Sequence, residues 1–310
     1  MHDSALTLAG KRGLAAQGHF ALRLGTGSAA DVTLLPTGFD GGTVFADVIS
    51  VVSGGLQFAS KHLGPPKYEA FVMPVGLSMS QELFEWIAGS WGAQPEKQDG
   101  AVLALDYNLG IQTESDFSGA LITETTMPAL DASSKEAGYL TVRFQPESID
   151  LHAGAGKLSL AASKQKLWRT SNFRLEIDGL DASKVSRIES FTVKREFTVE
   201  TSGSGGVALV AGRAEFPNLT ITLSQASSNT WFDWHESFVV QGNNTDGFER
   251  NGAISFLSTD LKKELSRIDL HHLGIVRVAP SKGKGSSQIA RVTAELYCEE
   301  MVLAPAGGSP

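Results

Sequence analysis

Apolar and polar residues alternate along the first part of residues 69–91, a pattern that predicts a β-strand. After Ser78 and Ser80, the spacing of the apolar residues changes to that of a helix with one buried side. The strand positions are Phe71, Met73, Val75 and Leu77, and the helical positions are Leu83, Trp86 and Ile87. The segment is therefore predicted to be a strand that runs directly into a short helix.

The same order of patterns returns in residues 217–234. Apolar residues alternate at Leu219, Ile221 and Leu223, and serine and asparagine residues then lead into an aromatic helix. Phe84-Glu85-Trp86 corresponds to Phe232-Asp233-Trp234, which lies 148 residues later (234 − 86). We interpret the two segments as copies of one unit.

Further blocks repeat at a nearly constant offset on both sides of this segment. Residues 20–24 match residues 173–177 at an offset of 153 (173 − 20), and residues 100–106 match residues 252–258 at 152 (252 − 100). Two more pairs of blocks are residues 6–9 with 158–161 and residues 141–144 with 293–296. Chance alternation would not hold one offset along the chain, so we predict a duplication with units at residues 1–152 and 153–310.

Each unit also contains a glycine-rich tip between two β-rich arms. The tip of the first copy is Ser53, Gly54 and Gly55, and that of the second copy is Gly203, Ser204, Gly205 and Gly206. Glycine supplies the positive φ values that hairpin tips need, so a long hairpin is predicted in each unit. A phosphate-binding loop is the other interpretation, but it requires a helix directly after the glycines, and neither copy has one.

These patterns predict a mainly β fold of two tandem β-barrel or sandwich domains. Each unit is expected to hold six to eight strands, with one short helix between its middle strands. An antiparallel sheet of that size curls or splits so that its edges are covered. The helix, with Trp86 or Trp234, is expected to plug or flank the barrel.

The charge balance argues against nucleic acid as a partner. The 310-residue chain has a formal net charge of −8, and only 19% of its residues are charged. Binding to phosphates needs a local excess of Lys and Arg, whereas the basic clusters are short and scattered. They are Lys11-Arg12, Lys194-Arg195, Lys262-Lys263 and Lys282 with Lys284. We interpret these clusters as solvated loops or strand edges.

Cysteine content and hydropathy limit the cell compartments in which the protein is expected to fold. Cys298 is the only cysteine, so no disulfide within the chain is possible, and its alternating context predicts a buried thiol. The first residues lack the long apolar run of a signal peptide, and no segment has the length of a membrane span. We expect a protein that folds in a reducing cytosol without inserting into a membrane.

The sequence contains no arrangement typical of catalysis, and we predict no catalytic, cofactor or metal site. The nearest candidates for metal ligands are His271-His272 beside Asp269 and His235-Glu236. Adjacent histidines on a strand point to opposite faces, so one ion could use only one of them. Residues 154–157 resemble the end of a P-loop, but Leu158 stands where Ser or Thr should bind magnesium.

The order of the elements resembles the tail-tube family of contractile phages and bacterial injection machines, including the tube protein of type VI secretion. The resemblance rests on the opening of the second copy, Phe173-Arg174-Leu175-Glu176-Ile177-Asp178-Gly179-Leu180, and on the strand and tryptophan helix of residues 219–234. A long glycine-tipped hairpin lies between these two blocks. Two copies of this order span nearly the whole chain.

The resemblance implies tail-tube-like domains whose inner sheets join into six-fold rings around a channel. Two domains in one chain then imply a pseudo-hexameric ring of three chains, stacked with other rings and surrounded by sheath and baseplate proteins, in a virion tail or a cytoplasmically assembled particle. The tip residues Ser53 to Gly55 and Gly203 to Gly206 would stack rings, and Phe84, Trp86, Phe232 and Trp234 would anchor the helices.

Three other functions stay open at this stage. A baseplate hub or tube-initiating ring belongs to the same machine, because trimeric hubs also carry two tube-like barrels in a chain. A tandem β-sandwich module that binds carbohydrate or protein would expose its tryptophans and remain monomeric. An enzyme whose site is built from scattered Asp, Glu and His residues is the third possibility.

Overall fold

The fold is described by a computed structural model over residues 19–25, 33–52, 59–158, 168–201, 207–281 and 290–305. The strands of the first half are β1 (His19–Leu24), β2 (Asp40–Gly41), β3 (Val44–Val51), β4 (Ser60–Tyr68), β5 (Phe71–Val75), β6 (Gln98–Leu105), β7 (Ile111–Met127), β8 (Leu130–Asp131), β9 (Leu140–Gln145) and β10 (Ser148–Ala153). Those of the second half are β11 (Phe173–Ile177), β12 (Val185–Ile188), β13 (Phe191–Thr201), β14 (Val207–Glu215), β15 (Leu219–Ser224), β16 (Arg250–Leu257), β17 (Glu264–Pro280) and β18 (Arg291–Pro305). The prediction of a mainly β chain is confirmed.

Two curled antiparallel sheets have the same strand order. The path through the first sheet is β1-β6-β7-β9-β5-β2, and the path through the second is β11-β16-β17-β18-β15-β12. The single long strand β18 takes the place of β9 and β10 together. The predicted fold of two tandem tube-like halves is therefore confirmed.

The strand registers of the two sheets also correspond. Phe20 pairs with Ala104 as Phe173 pairs with Phe256, and Phe71 pairs with Phe144 as Leu219 pairs with Leu296. A residue of the first sheet and its counterpart thus occupy the same place in the hydrogen-bonded ladder. This correspondence allows the surroundings of each position to be compared between the halves.

Alternating apolar residues build a core that continues through both halves. In β5 and β15 every second side chain is buried, which gives each strand one core face. Phe144 of β9 lies 5.0 Å from Phe71 and 5.2 Å from Phe117, measured between ring centroids. Aromatic rings at these separations pack in offset or tilted arrangements and bury large apolar areas.

Each half has a short helix after its fifth core strand, as predicted. Helix α1 (Gln81–Gly89) begins at Ser80, whose hydroxyl accepts a hydrogen bond from the N–H of Leu83. Helix α2 (Asn229–His235) continues into a π-helical turn at Glu236–Val240. Within the described ranges, the helices are too short or too polar to cross a bilayer.

The predicted hairpins form as two antiparallel strand pairs, β3 with β4 and β13 with β14. Strands β3 and β4 make a two-stranded sheet of their own, whereas β13 and β14 extend the first sheet. All seven tip residues that were predicted to stack rings, from Ser53 to Gly55 and from Gly203 to Gly206, lie outside the described residues.

Candidate functional site at the joint between the two halves

The second half of the chain adds a strand to the sheet of the first half. Strand β13 pairs with the end of β7, where Val193 lies opposite Thr125 and Lys194 lies opposite Glu124. Thr126 and Thr192 share a hydrogen bond of 2.8 Å between their hydroxyl groups. A strand edge that would otherwise be exposed is thereby closed within the chain.

Arg195 fastens this strand to the end of helix α1. Its side chain is buried, and its Nε donates to the backbone oxygen of Ser90 at 2.8 Å. The other two guanidinium nitrogens donate to the backbone oxygens of Gly92 and Gly212. Burial lowers the pKa of Arg195. A cation among the last carbonyl groups of a helix satisfies acceptors that have no partner inside the helix.

A second contact joins helix α1 to the end of β18. Phe84, Met79 and Ala88 face Leu303 and Pro305 across a cavity of about 550 Å³. Leu303 is only 3% exposed. The helix of the first half therefore lies beside the last strand of the second half, and both line this cavity.

The short strand β8 completes the joint by pairing with β12 at the edge of the second sheet. Arg187 donates to Asp131 at 2.9 Å and to Glu189 at 2.6 Å. Hydrogen bonds from the hydroxyl and N–H of Ser133, together with Arg187, hold the pKa of Asp131 below its usual range. The joint is thus a strand pairing reinforced by ion pairs.

The counterparts of the joint elements lie on other surfaces of the two halves, where the described residues provide no partner for them. The counterpart of Leu303 is Leu151, which is 69% exposed on β10, and the counterpart of Phe84 is Phe232, which is 38% exposed on α2. The end of β17 corresponds to the end of β7, yet in the described part of the chain no strand pairs with its second edge. Hairpin β3–β4, the counterpart of β13–β14, pairs with no other strand that the structure describes.

Exposed apolar residues continue along this free hairpin. They are Val44, Phe45, Val48, Ile49 and Val51 on β3 and Leu63 on β4. Contiguous apolar surface of this kind marks an interaction site on a soluble protein more often than chance exposure does.

The four predicted helix anchors occupy different environments. Trp86 is buried 5.4 Å from Phe144 and donates its indole N–H to the backbone oxygen of Glu96. Trp234 is buried against Phe238, and the guanidinium of Arg250 lies 4.9 Å from its ring centroid. Phe84 lies at the joint, whereas Phe232 is exposed at the corresponding free surface. Their role as anchors stays a prediction.

The charge pattern led to a wrong prediction for Arg195, a residue of the joint. Lys194-Arg195 was interpreted as a solvated basic cluster, and this is wrong for Arg195, although Lys194 is exposed. The strand alternation contained the signal, because Arg195 shares a face with the buried residues Phe191 and Val193.

Comparisons with known proteins gave structural matches only. No family model matches the chain, and no curated protein matches its sequence. Among solved structures, it is similar to the tube-terminating cap of the anti-feeding prophage, with 15% identity and a TM-score of 0.37 over 48% of this chain and 96% of that one. It is also similar to a protein of the sheath–tube complex of the PVC extracellular contractile injection system, with 16% identity and a TM-score of 0.35 over 43% of this chain and 88% of that one.

A third match is Hcp1 from Flavobacterium johnsoniae, with 16% identity and a TM-score of 0.25 over 44% of this chain and 96% of the other. The matched proteins are components of contractile injection systems and Hcp proteins. The resemblance noted in the sequence is to proteins of the same machines. Each spans nearly the whole of the matched protein and just under half of this chain.

Proposed function

We propose that the chain is a non-enzymatic structural subunit that forms a hollow ring by joining head to tail with other copies of itself. Three chains, with two tube-like domains each at residues 1–152 and 153–310, would supply six curled sheets around a channel. Rings of this kind would stack into the inner tube of a contractile tail or injection system, inside a sheath and on a baseplate.

The observation that carries this proposal is the correspondence between the filled joint and the free surfaces. Within the chain, α1 and the edge of β7 contact β18 and β13 of the second half. The free surfaces are the counterparts of these same elements: α2 and the edge of β17 on the second half, β10 and β3 on the first half. A second copy of the chain can supply each half with the partner that it lacks.

The register of the filled joint predicts the contacts between chains. Val44 of one copy would pair with Val278 of the next, as Val193 pairs with Thr125 inside the chain. Phe232 would face Leu151, as Phe84 faces Leu303 across the cavity at the joint. The two surfaces of such a contact differ, so the interface is heterologous, and a heterologous interface closes into a ring when its rotation divides a full turn.

The proposal of six domains per ring comes from the resemblance to the tail-tube family. One solved structure to which the chain is similar is the baseplate of the anti-feeding prophage, determined with six-fold symmetry. A tube-initiating or hub ring of the same machine would use the same joint. A hub ring would differ by stacking on one face only, so tube and hub are distinguished by whether rings build a long tube.

A tandem carbohydrate-binding module is less well supported. Such a module stacks sugars on exposed aromatic faces, but all five tryptophans of the chain are buried, namely Trp86, Trp91, Trp168, Trp231 and Trp234. The exposed large apolar residues on β3, β10 and α2 are aliphatic or phenylalanine, which suits contact with protein.

Negative-stain electron microscopy of the purified chain tests the proposal. The expected images show rings with a central pore and six-fold or three-fold symmetry, alone or in stacks. Particles of one chain that lack a pore at every concentration would contradict the proposal. Stacks that grow from both faces would identify a tube subunit, and rings that stay single would identify a hub.

A further inference from the structure

Three potential metal ligands meet on the second sheet, away from the joint. They are Glu249 just before β16, His272 in β17 and Glu299 in β18, and one ligand atom of each lies within 4.8 Å of the others. Nδ1 of His272 lies 2.9 Å from Oε2 of Glu249, whose side chain is only 6% exposed. The hydroxyl of Tyr297 donates to the other oxygen of Glu249 at 2.6 Å.

The corresponding positions of the first sheet carry a different set of charges. Gln98 pairs with Ala120 as Arg250 pairs with Leu273, so Lys97 corresponds to Glu249 and Gly119 to His272. Glu299 corresponds to Glu147, which forms an ion pair of 2.5 Å with Lys97. In the first half, the ammonium group of a lysine therefore supplies the cation that neutralises the glutamate.

The second half keeps the glutamate, replaces that lysine with another glutamate and adds an imidazole. Two carboxylates in proximity repel each other unless a cation lies between them. The imidazole of His272, with Nδ1 at 2.9 Å from Glu249, can offer these carboxylates at most one positive charge. A divalent ion would supply two positive charges and so balance both carboxylates.

The backbone of His272 shows that a glycine can replace this residue without disturbing the fold. Its φ is 56°, in the left-handed region, and Gly119 has nearly the same φ of 57°. The N–H of Gly119 donates to the side chain of Asp99, and the N–H of His272 donates to the side chain of Asn251, so both residues occupy the same bulge. Glycine adopts this conformation without strain, whereas histidine does not.

The ligand atoms of these three side chains converge, and a glutamate stands where the first half has Lys97. We propose that Glu249, His272 and Glu299 bind a divalent transition-metal ion of the zinc class. One imidazole nitrogen and carboxylate oxygens are ligands that zinc accepts, with bonds of about 2.0–2.2 Å. Donors around one such ion lie about 3–4 Å apart, so the ligand atoms need to move little.

Tyr297 supports the site from outside the ligand set. Its hydroxyl orients Glu249, as hydrogen-bond donors behind metal ligands commonly do. With Glu249 before β16, His272 in β17 and Glu299 in β18, the ion would tie the loop after α2 to two strands of the sheet. Its role would be to stabilise this loop, and three protein ligands would leave one position for water or for a group of another molecule.

The test compares thermal unfolding of the full chain, freed of metal with a chelator, before and after addition of zinc chloride at pH about 8, where imidazole is neutral. Bound zinc is counted by elemental analysis after gel filtration. At a zinc concentration about 100 times the dissociation constant, we expect one zinc per chain and a rise of about 5 °C in the unfolding temperature.

Two histidine variants make the test specific. His272→Gly installs the residue of the first half and should fold, because glycine suits the backbone, but it should lose both the bound zinc and the rise in unfolding temperature. His271→Gln, at the neighbouring position, should keep both. The proposal is overturned if the parent chain binds no zinc, or if His272→Gly retains the zinc and the rise.

Discussion

The guanidinium group of Arg195 lies among three backbone carbonyl groups that belong to both halves of the chain. Two of them follow helix α1 in the first half, at Ser90 and Gly92, and the third belongs to Gly212 on β14. The planar group directs separate donors at acceptors in different directions, which an ammonium group cannot do with the same geometry.

Replacing Arg195 should therefore destabilise the chain. Arg195→Ala removes three hydrogen bonds from a charged donor and leaves the carbonyl group of the buried Ser90 without it, so we expect a loss of about 2–4 kcal/mol in the free energy of unfolding, measured with urea. Arg195→Lys should recover only part of that loss. Arg213→Ala, at an exposed arginine on the adjacent strand, should change stability by less than about 0.5 kcal/mol. Equal effects of Arg195→Ala and Arg213→Ala would contradict the assigned role.

At the scale of single residues, the sequence predicts which side chains are buried but not which groups they contact. The alternation of residues 71–77 and the repeated tryptophan helices predicted which side chains are buried. The role of Arg195 could not be predicted, because two of its three acceptors lie more than 100 residues away. The metal-ligand cluster was missed for a similar reason: His272 was compared with its chain neighbours, whereas its partners come from β18 and from the loop before β16.

At the scale of elements, the two hairpins have the same construction and different neighbours. Hairpin β13–β14 is attached to β7, and hairpin β3–β4 is paired only with itself in the described residues. Apolar residues along β3 are exposed, although strand edges of soluble proteins are normally protected. The account predicts that β3 pairs with β17 of another chain.

Cysteine cross-linking measures this pairing directly. In a chain with Val44→Cys and Val278→Cys, a short thiol-reactive cross-linker should join different molecules and give covalent multimers in a denaturing gel. A control pair inside the chain, Thr126→Cys with Thr192→Cys, places cysteines at partly buried positions that face each other one residue along the same ladder, and it should cross-link within one molecule. Burial raises the pKa of the native Cys298 thiol to about 11, so it should contribute little background.

Absence of multimers from the first pair, while the control pair reacts, would contradict the pairing of β3 with β17.

The sequence predicted the hairpins themselves from their arms and glycine tips. It did not predict that β13 attaches to β7, because strand pairing between repeats depends on how the sheets are placed and not on the alternation within either strand. The short strand β8 was missed as well, since two residues carry no periodicity.

At the scale of the whole molecule, the chain has one filled joint, and the counterparts of its elements lie on two other surfaces of the described structure. The predicted duplication depends on a sequence offset that stays near 152 residues, and the shared strand order agrees with this prediction. The proposed ring requires more than the repeated strand order. It requires that Phe232 and Leu151 of different chains lie near each other, as Phe84 and Leu303 do within one chain.

The molar mass of the parent chain in solution, compared with that of Leu151→Asp, tests this central claim most directly. Light scattering across a range of concentrations should give about three times the 32.9 kDa of one chain, or multiples of that trimer, for the parent. Leu151→Asp places a charge in the contact between chains and should remain near one chain with unchanged unfolding, because Leu151 is exposed in the single chain. Tyr107→Asp, at an exposed residue outside the contact, should behave as the parent. A parent chain that keeps the mass of one molecule at every concentration, or a Leu151→Asp variant that assembles as the parent does, would contradict the account.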